Sequence, residues 1–321
     1  MPDNNKVMLT VLCTVYNHEK YIAKCLESLV NQKCSYKYQI VVHDDASTDN
    51  SAQIIKQFEN KYPDKIIPIY QKENQWSKGV YIRAEILQKY IEGKYVAVCE
   101  GDDFWTDENK IQMQIDYMES HPDCALCAHA AYYADENGKI LKNKFFANFN
   151  EEKDLSMKEI LHGWSFATNS VMYVSKLFPD TSIPFKGKCV NADYALAVFM
   201  ALQGKIHYFD KLMSAYRINS VNSLTWKWRH NPELYVERRR EYIAMLDRID
   251  EYTHQEYHDI IADYKETCIF DLYVFMSDLK KVKEYKSRYK SMPVIKKLKL
   301  NVKYYCPWLA SSVKKLKSLH Q

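Results

Sequence analysis

Apolar and polar positions alternate along the first hundred residues in blocks that predict strands and helices in turn. Runs rich in β-branched and apolar residues at 7–14, 38–43, 66–70 and 96–98 predict four strands. The first is expected to be buried, and the last to be buried on both faces. Between the first two blocks, apolar residues recur at helical spacing over 19–31. Strands that alternate with helices imply an α/β fold with a largely parallel sheet flanked by helices.

The pattern after this region predicts further elements and a change in character near residue 231. The spacing predicts helices at 82–93, 107–120 and 192–202, strands at 125–133 and 169–174, and a strand or hairpin at 205–216. Asp135-Glu-Asn-Gly138 carries the Asn-Gly signal of a hairpin. From residue 231 the pattern is helical. We therefore predict an α/β catalytic domain over 1–230 and an α-helical extension with a basic tail over 231–321.

Composition narrows the possible chemistry. With 321 residues, 47% hydrophobic and 27% charged, the chain has an ordinary globular composition. Glycine is scarce, at 7 residues, and no glycine-rich phosphate loop is present, so bound phosphates would need a metal or side chains. The net charge of +4 is too small to indicate nucleic acid, and none is predicted as a partner.

Basic residues are concentrated at the C-terminus. After Lys280 the chain has twelve basic residues and one acidic residue, Glu284. Leu309, Val313 and Leu316 share a helical face flanked by lysines. Two interpretations stay open: peripheral contact with an anionic membrane surface, or a helix packed on the body with a solvated basic face. No apolar run is long enough to span a bilayer, and we expect a cytoplasmic protein, in peripheral contact with the inner face of the membrane under the first interpretation.

The nine cysteines favour free thiols over disulfides or a zinc site. Their count is odd and their spacing irregular, as expected in a reducing cytoplasm. Cys124 and Cys127 form a C-x-x-C pair, but no second pair lies at zinc-site spacing and the flanking residues are apolar. We interpret this pair as part of a buried strand.

Paired carboxylates follow two of the predicted strands. Asp102 and Asp103 end the fourth strand, and Asp44 and Asp45 end the second. In a parallel sheet both pairs lie at the edge where α/β proteins bind ligands. Oxygen ligands suit Mg²⁺ or Mn²⁺, which often share their coordination with phosphate groups. A metal-bridged diphosphate site and a solvated acidic turn are both compatible with these residues.

Three segments together carry a resemblance to a known family. The segments 12–22, 40–51 and 100–105 resemble the family 2 glycosyltransferases, which have a GT-A fold, and weaker similarity extends the match to about 7–225. The resemblance implies an inverting enzyme that uses a nucleoside-diphosphate sugar, a UDP-sugar by our expectation, and a divalent cation, Mn²⁺ or Mg²⁺. It also implies a glycan or lipid-linked glycan acceptor in the biosynthesis of bacterial cell-envelope polysaccharide.

The resemblance assigns roles to individual residues. Asp193 matches the general base, Asp103 the metal ligand and Asp102 a residue near the ribose. The other expected nucleotide-binding residues are Thr14, Tyr16, Asn17, Asp45 and Arg217. Two positions depart from the family pattern, where Ala192 replaces a common glutamate and Asn219 a common histidine.

Some residues and functions have a second interpretation. Arg83 and Lys78 could contact phosphate, although we favour solvated side chains for both. Trp105 and Trp164 could stack on a sugar, although core packing is favoured. A non-catalytic nucleotide- or glycan-binding relative and a nucleotidyltransferase are the alternative functions. Retention of the three aspartates argues against the first, and the lack of a glycine-rich basic loop argues against the second.

Overall fold

A computed structural model describes residues 6–146, 149–163, 166–179, 182–189, 191–218 and 230–306. The chain divides into two compact units. The first consists of Met1–Gly187 and Asn191–His230, and the second of Lys188–Val190 and Asn231–Gln321.

The first unit is built on one mixed sheet, to which ten strands contribute in the described part of the chain. Its main path runs β3-β2-β1-β4-β9-β6-β10-β5, with β7 beside β6 and β8 beside β10. The strands β3, β2, β1 and β4 are mutually parallel, whereas β9 joins β4 and β6 in antiparallel pairing. The strands are Leu9–Val15 (β1), Tyr38–Asp44 (β2), Ile66–Tyr70 (β3), Tyr95–Val98 (β4), Phe104–Trp105 (β5), Cys124–Ala134 (β6), Ile140–Phe146 (β7), Lys153–Leu155 (β8), Met172–Val174 (β9) and Lys205–Arg217 (β10).

Helices cover the sheet of the first unit. They are Ile22–Val30 (α1), Ser51–Lys61 (α2), Lys110–Ser120 (α3), Met157–Leu161 (α4) and Ala192–Ala201 (α5). The apolar face predicted for α1 is buried, since Ile22, Leu26 and Leu29 are inaccessible to solvent. Gly93 lies so close to β1 that a Cβ atom there would come within 2.6 Å of the Thr10 nitrogen, which explains a glycine before β4.

The structure differs from the predicted elements at two places that bear on the site. The helix expected over 82–93 is a π-helical segment, Ile82–Leu87, followed by a 3-10 turn, Gln88–Tyr90. The strand expected over 169–174 begins only at Met172, because Thr168–Ser170 form a 3-10 turn. By contrast, the hairpin at 135–138 is confirmed, with Gly138 at a φ of 77° between β6 and β7.

The second unit is helical. Its helices are Pro232–Tyr252 (α6), His258–Met276 (α7), Leu279–Glu284 (α8), Lys286–Ser291 (α9) and Val294–Tyr305 (α10). Its core includes Phe270, Leu279, Val282, Met292 and Leu300. Within the described ranges, no helix is both long enough and apolar enough to cross a membrane. The predicted tail face at Leu309, Val313 and Leu316 lies outside the described residues.

Candidate functional site

The carboxyl ends of β1, β2 and β4 meet at one edge of the sheet. The Asp45 amide donates to the Val15 carbonyl at 2.9 Å, and the Gly101 amide donates to the Thr14 carbonyl at 2.9 Å. Gly101 is required here, because a Cβ atom would come within 2.9 Å of both His18 Nδ1 and a Val15 methyl group. The predicted juxtaposition of the two acidic turns at this edge is therefore present.

Tyr16 and Asn17 form the turn after β1. The Tyr16 side chain is 43% exposed, which leaves its ring available to a ligand. Asn17 has a φ of 56°, a conformation that asparagine adopts more readily than most residues. Its Oδ1 accepts from the Thr48 amide at 2.8 Å, and its own amide donates to Ser47 Oγ at 2.9 Å. Asn17 therefore connects the turn after β1 to the loop after β2.

Asp45 is buried and holds the loop that follows β3. Its two carboxylate oxygens accept from the amides of Gln75, at 2.7 Å, and Trp76, at 3.1 Å. Its carbonyl accepts from Asn74 Nδ2 at 3.1 Å. Asp45 therefore joins the end of β1, which precedes Tyr16, to the loop that carries Trp76. The side chain of Trp76, like that of Tyr16, is 43% exposed.

Asp103 is buried beneath the acidic turn. Its Oδ1 accepts from the Arg217 amide at 2.8 Å and its Oδ2 from Asn169 Nδ2 at 2.9 Å. Burial, together with the neighbouring charges of Asp102 and Glu100, raises the pKa of Asp103 well above its usual value. The carboxylate is thus firmly oriented, with one hydrogen bond at each oxygen.

Asp102 is the more open of the two aspartates. It is partly exposed, and its carbonyl accepts from Arg217 Nε at 2.6 Å. Its carboxylate accepts no hydrogen bond from the residues that the structure describes. The charge of Asp102 also acts on its neighbour Glu100. Burial is the largest cause, and the charges of Asp102 and Asp193 the next largest, of a rise in the pKa of Glu100 to about 7.

The carboxylates of the acidic turn at 100–103 are suitable ligands for a divalent cation. Three carboxylates, those of Glu100, Asp102 and Asp103, lie within four residues. The charge of Asp102 raises the pKa of both Glu100 and Asp103, an effect that a bound cation would counteract. No group of three or more His, Cys, Asp or Glu side chains among the described residues forms a complete cage for a metal. A cation held by one or two carboxylates and a substrate diphosphate, as is common for Mg²⁺, agrees with both observations.

Arg217 holds the acidic turn to the hairpin between β6 and β7. Besides its contact with Asp102, Nη1 donates to the carbonyls of Asp135, at 3.1 Å, and Glu136, at 3.0 Å. The guanidinium also lies 4.5 Å from the centre of the Tyr21 ring. The expected contact between Arg217 and a nucleotide stays a prediction, and the contacts seen here are structural.

Asp193 lies in the first turn of α5. Its Oδ2 accepts from Thr168 Oγ1 at 2.6 Å, and its Oδ1 accepts from the Tyr194 amide at 3.2 Å. Burial raises the pKa of Asp193, while Thr168 and the positive charge of Arg83 act in the opposite direction. Because the charge of Asp193 also raises the pKa of Glu100, the two carboxylates share one electrostatic environment.

Arg83 is not the solvated side chain that we favoured from the sequence. Its Nη1 is buried and has no hydrogen-bond partner among the described residues. Burial lowers the pKa of this guanidinium, but the neighbouring acidic groups outweigh burial, and the pKa is raised overall. These groups are Tyr173, Tyr81, Glu100 and Asp193. Lys78, by contrast, is half exposed and pairs with Glu73, as a solvated residue would.

Sequence reasoning also missed the 3-10 turn that orients the candidate base, Asp193, and the candidate metal ligand, Asp103. Thr168 donates to Asp193, and its neighbour Asn169 donates to Asp103. Asn169 is inaccessible to solvent, and it also donates to the Ala215 carbonyl at 3.0 Å and accepts from Ser214 Oγ at 2.7 Å. Three consecutive polar residues, 168–170, at the start of an apolar run were the available signal.

Core packing, favoured for the tryptophans, is confirmed for Trp105. It is 4% exposed, its Nε1 donates to the Asn169 carbonyl at 2.9 Å, and the buried Lys110 ammonium lies 4.0 Å from its ring centre. Trp164 and Asn219 lie outside the described residues. The cysteines among the described residues are free, and Cys124 and Cys127 are buried in β6, as predicted.

Comparison with known proteins gives a family and a fold. The model of the family described as Glycosyl transferase family 2 matches residues 10–178. The uncharacterized protein Rv1520 of Mycobacterium tuberculosis is 31% identical over 209 residues, which cover 65% of this chain and 58% of that protein. The poly(ribitol-phosphate) beta-glucosyltransferase of Bacillus spizizenii is 29% identical over 154 residues, or 48% of this chain and 23% of that enzyme. The match thus spans less than two thirds of either relative.

Solved structures show the same fold at low sequence identity. S. aureus TarS 1–349 in complex with UDP has a TM-score of 0.55 and 20% identity, covering 80% of this chain and 70% of that one. The mannosyltransferase PcManGT from Pyrobaculum calidifontis, in complex with GDP-Man and Mn²⁺, has a TM-score of 0.52 and 13% identity, covering 98% and 89%. These likenesses confirm the predicted GT-A fold, and the family match covers more than half of the chain. The chain belongs to glycosyl transferase family 2.

Proposed function

We propose that this chain is an inverting, metal-dependent glycosyltransferase that transfers a sugar from a nucleoside-diphosphate sugar to an acceptor hydroxyl. The observation that carries the proposal is the 3-10 turn 168–170, in which the adjacent residues Thr168 and Asn169 donate hydrogen bonds to Asp193 and Asp103 and so hold both carboxylates at one site. A base and a cation site in one environment are what a single in-line displacement needs. Family membership favours a glycosyl group over the nucleotidyl group of our alternative.

The nucleotide would bind across the ends of β1 and β2. Tyr16 offers an exposed ring for stacking on the base. Thr14, Asn17 and Asp45 surround the same strand ends, and each Asp45 oxygen retains a lone pair beside its present hydrogen bond. UDP is the expected nucleotide, and the UDP complex of TarS, which has this fold, supports it.

Asp102, beside the buried Asp103, would hold the divalent cation, Mn²⁺ or Mg²⁺, which when bound supplies Lewis-acid stabilisation of the leaving diphosphate. The contacts described above favour Asp102 as the carboxylate with open oxygens, and Asp103 as the one that Asn169 and Arg217 orient. This differs from the assignment that the family resemblance implied, in which Asp103 was the ligand. The Mn²⁺ complex of PcManGT supports a metal for this fold.

Asp193 would act as the general base. Its carboxylate removes the proton of the acceptor hydroxyl, while the hydroxyl oxygen attacks the anomeric carbon and the bond to the diphosphate breaks. Thr168 orients this carboxylate, and Arg83 helps to keep it ionised despite its burial. The configuration at the anomeric carbon inverts, since one displacement occurs.

The acceptor is proposed to be a hydroxyl of a growing cell-envelope glycan or of its lipid-linked precursor. The name of the Bacillus spizizenii relative, a poly(ribitol-phosphate) beta-glucosyltransferase, supports an envelope polymer. The site of action would be the cytoplasm, at the inner face of the membrane.

The hydrogen bond between Thr168 and Asp193 leads us to predict how the activity depends on pH. Replacing Thr168 by Val removes a hydrogen bond to the ionised carboxylate, so the pKa of Asp193 rises further. A base must be ionised to act, and the acidic limb of the kcat/KM profile should therefore move to higher pH, by about one unit. Arg83, Glu100 and Tyr81 are the other titratable groups near this carboxylate.

The pH profiles of Thr168→Val and Thr168→Ser distinguish orientation from simple packing. Thr168→Ser keeps the hydroxyl and should restore the wild-type profile. An unshifted profile in Thr168→Val would show that the hydrogen bond does not tune the base.

Donor binding provides the direct experiment for the nucleotide site. Isothermal titration of the full chain with UDP, GDP and CDP, each with and without Mn²⁺, should show Mn²⁺-dependent binding of UDP. Tyr16→Ala should weaken that binding by about tenfold, since loss of base stacking costs roughly 1–3 kcal/mol. Absence of binding to any nucleotide would contradict the proposed function.

A further inference from the structure

The last described helix, α10, exposes a continuous apolar face. Val294, Ile295, Leu298 and Tyr305 are 77%, 68%, 64% and 64% exposed. At 100° per residue these four positions fall within about 100° of one another around the helix, with the half-buried Val302 between them. Large apolar side chains exposed together in this way mark an interaction surface.

Lysines border this face. Lys296, Lys299 and Lys303 are exposed and follow the apolar face on one side, and Lys297 lies toward the other. The sequence of α10 contains no acidic residue. Apolar and cationic groups thus occupy adjacent strips of one helix, which is the pattern of helices that lie in a membrane interface.

The exposed face is not needed to fold the second unit. Leu300 and Tyr304, which lie on a different side of α10, pack against the core that contains Phe270, Leu279 and Val282. The helix is therefore anchored by one side while the apolar face points away from this core. In the described residues nothing buries Val294, Ile295 or Leu298.

We propose that this face of α10 binds the surface of an anionic phospholipid membrane, lying parallel to it. Charge complementarity selects this occupant, because the lysines attract anionic headgroups but would repel the same face of a second copy. With 12 residues α10 is about 18 Å long, too short to cross a bilayer of about 30 Å. The surface is distinct from the predicted tail face at 309–316 and does not depend on the reaction chemistry proposed above.

Flotation of the full chain with vesicles tests this proposal. Vesicles containing about one third phosphatidylglycerol should carry the wild-type protein at low salt, and pure phosphatidylcholine vesicles should not. The triple variant Val294→Ser, Ile295→Ser, Leu298→Ser should bind at least about tenfold more weakly. Lys296→Gln, Lys299→Gln, Lys303→Gln should bind roughly a hundredfold more weakly, at about fivefold per lysine.

Leu234→Ser provides the matched control, since Leu234 is also an exposed apolar residue of the second unit, at 42%. It should float like the wild type. Equal flotation of the wild type and both triple variants would overturn the proposal. A dimer in solution that the apolar variant dissociates, without lipid binding, would identify a second copy as the occupant instead. Nucleotide binding should be unchanged in every variant, which separates this test from that of the proposed function.

Discussion

Replacement of Asp193 by Asn is expected to lower kcat by about a thousandfold while donor binding stays within a few-fold of the wild type. Asn has the size of Asp and can still accept from the Thr168 hydroxyl, which lies 2.6 Å from Oδ2. It cannot remove a proton. The loss therefore falls on the chemical step, and a change in kcat without a change in nucleotide affinity is the expected signature.

Initial rates of acceptor glycosylation, together with titration of the donor, provide the measurement. Asp210→Asn is a suitable control because Asp210 is an exposed aspartate on β10, and its activity should match that of the wild type. Full activity of Asp193→Asn would remove this residue as the base. A large loss of donor affinity would instead place it at the nucleotide.

The two adjacent aspartates are expected to respond differently to substitution. Asp102→Asn removes an open, charged oxygen ligand and should weaken Mn²⁺-dependent nucleotide binding by about a hundredfold, with little effect on Tm. In the wild type both carboxylate oxygens of Asp103 accept a hydrogen bond, from Asn169 Nδ2 and from the Arg217 amide. Asp103→Asn replaces one of these oxygens by an NH₂ group, which cannot accept. One of these donors loses its partner, which should cost about 1–3 kcal/mol of stability and lower Tm.

Calorimetric titration of Mn²⁺ in the presence of UDP, paired with thermal unfolding, separates the two effects. Replacement of the exposed Asp64 by Asn is the control for removing a surface carboxylate. Retained Mn²⁺-dependent binding in Asp102→Asn, with binding lost in an otherwise stable Asp103→Asn, would reverse the roles and restore the assignment that the family resemblance implied.

The architecture near the site was largely predictable. Buried parallel strands are rich in apolar residues, and β1, β2 and β4 are buried along nearly their whole length. β3, at the edge of the sheet, is only partly buried. Since parallel strands end at one edge, the acidic turns after β2 and β4 were expected to meet. The hairpin at Gly138 was equally clear from its Asn-Gly dipeptide.

The position of Arg83 was not predictable from local sequence. It follows a polar loop, and neighbours of this kind suggest a solvated side chain. The π-helical segment Ile82–Leu87 instead leads its guanidinium to a buried position near Asp193 and Glu100, which are distant in sequence. Burial of a charge of this kind depends on tertiary partners rather than on periodicity.

The separate roles that we propose for Asp102 and Asp103 were also not predictable from the sequence. Adjacent identical residues carry no signal about which side chain turns inward. The choice depends on Asn169 and the Arg217 amide, which lie 66 and 114 residues away from Asp103 along the chain. Thr168 and Asn169 act through such long-range contacts, and a polar triplet in an apolar run only hinted at them.

The most direct test of the central claim is release of nucleoside diphosphate from a panel of nucleotide sugars by the full chain, with Mn²⁺ and with EDTA. We predict Mn²⁺-dependent release of UDP from at least one UDP-sugar, absent in EDTA and reduced at least about a hundredfold in both Asp193→Asn and Asp102→Asn. Release that persists in EDTA, or that both variants retain at the wild-type rate, would contradict the account.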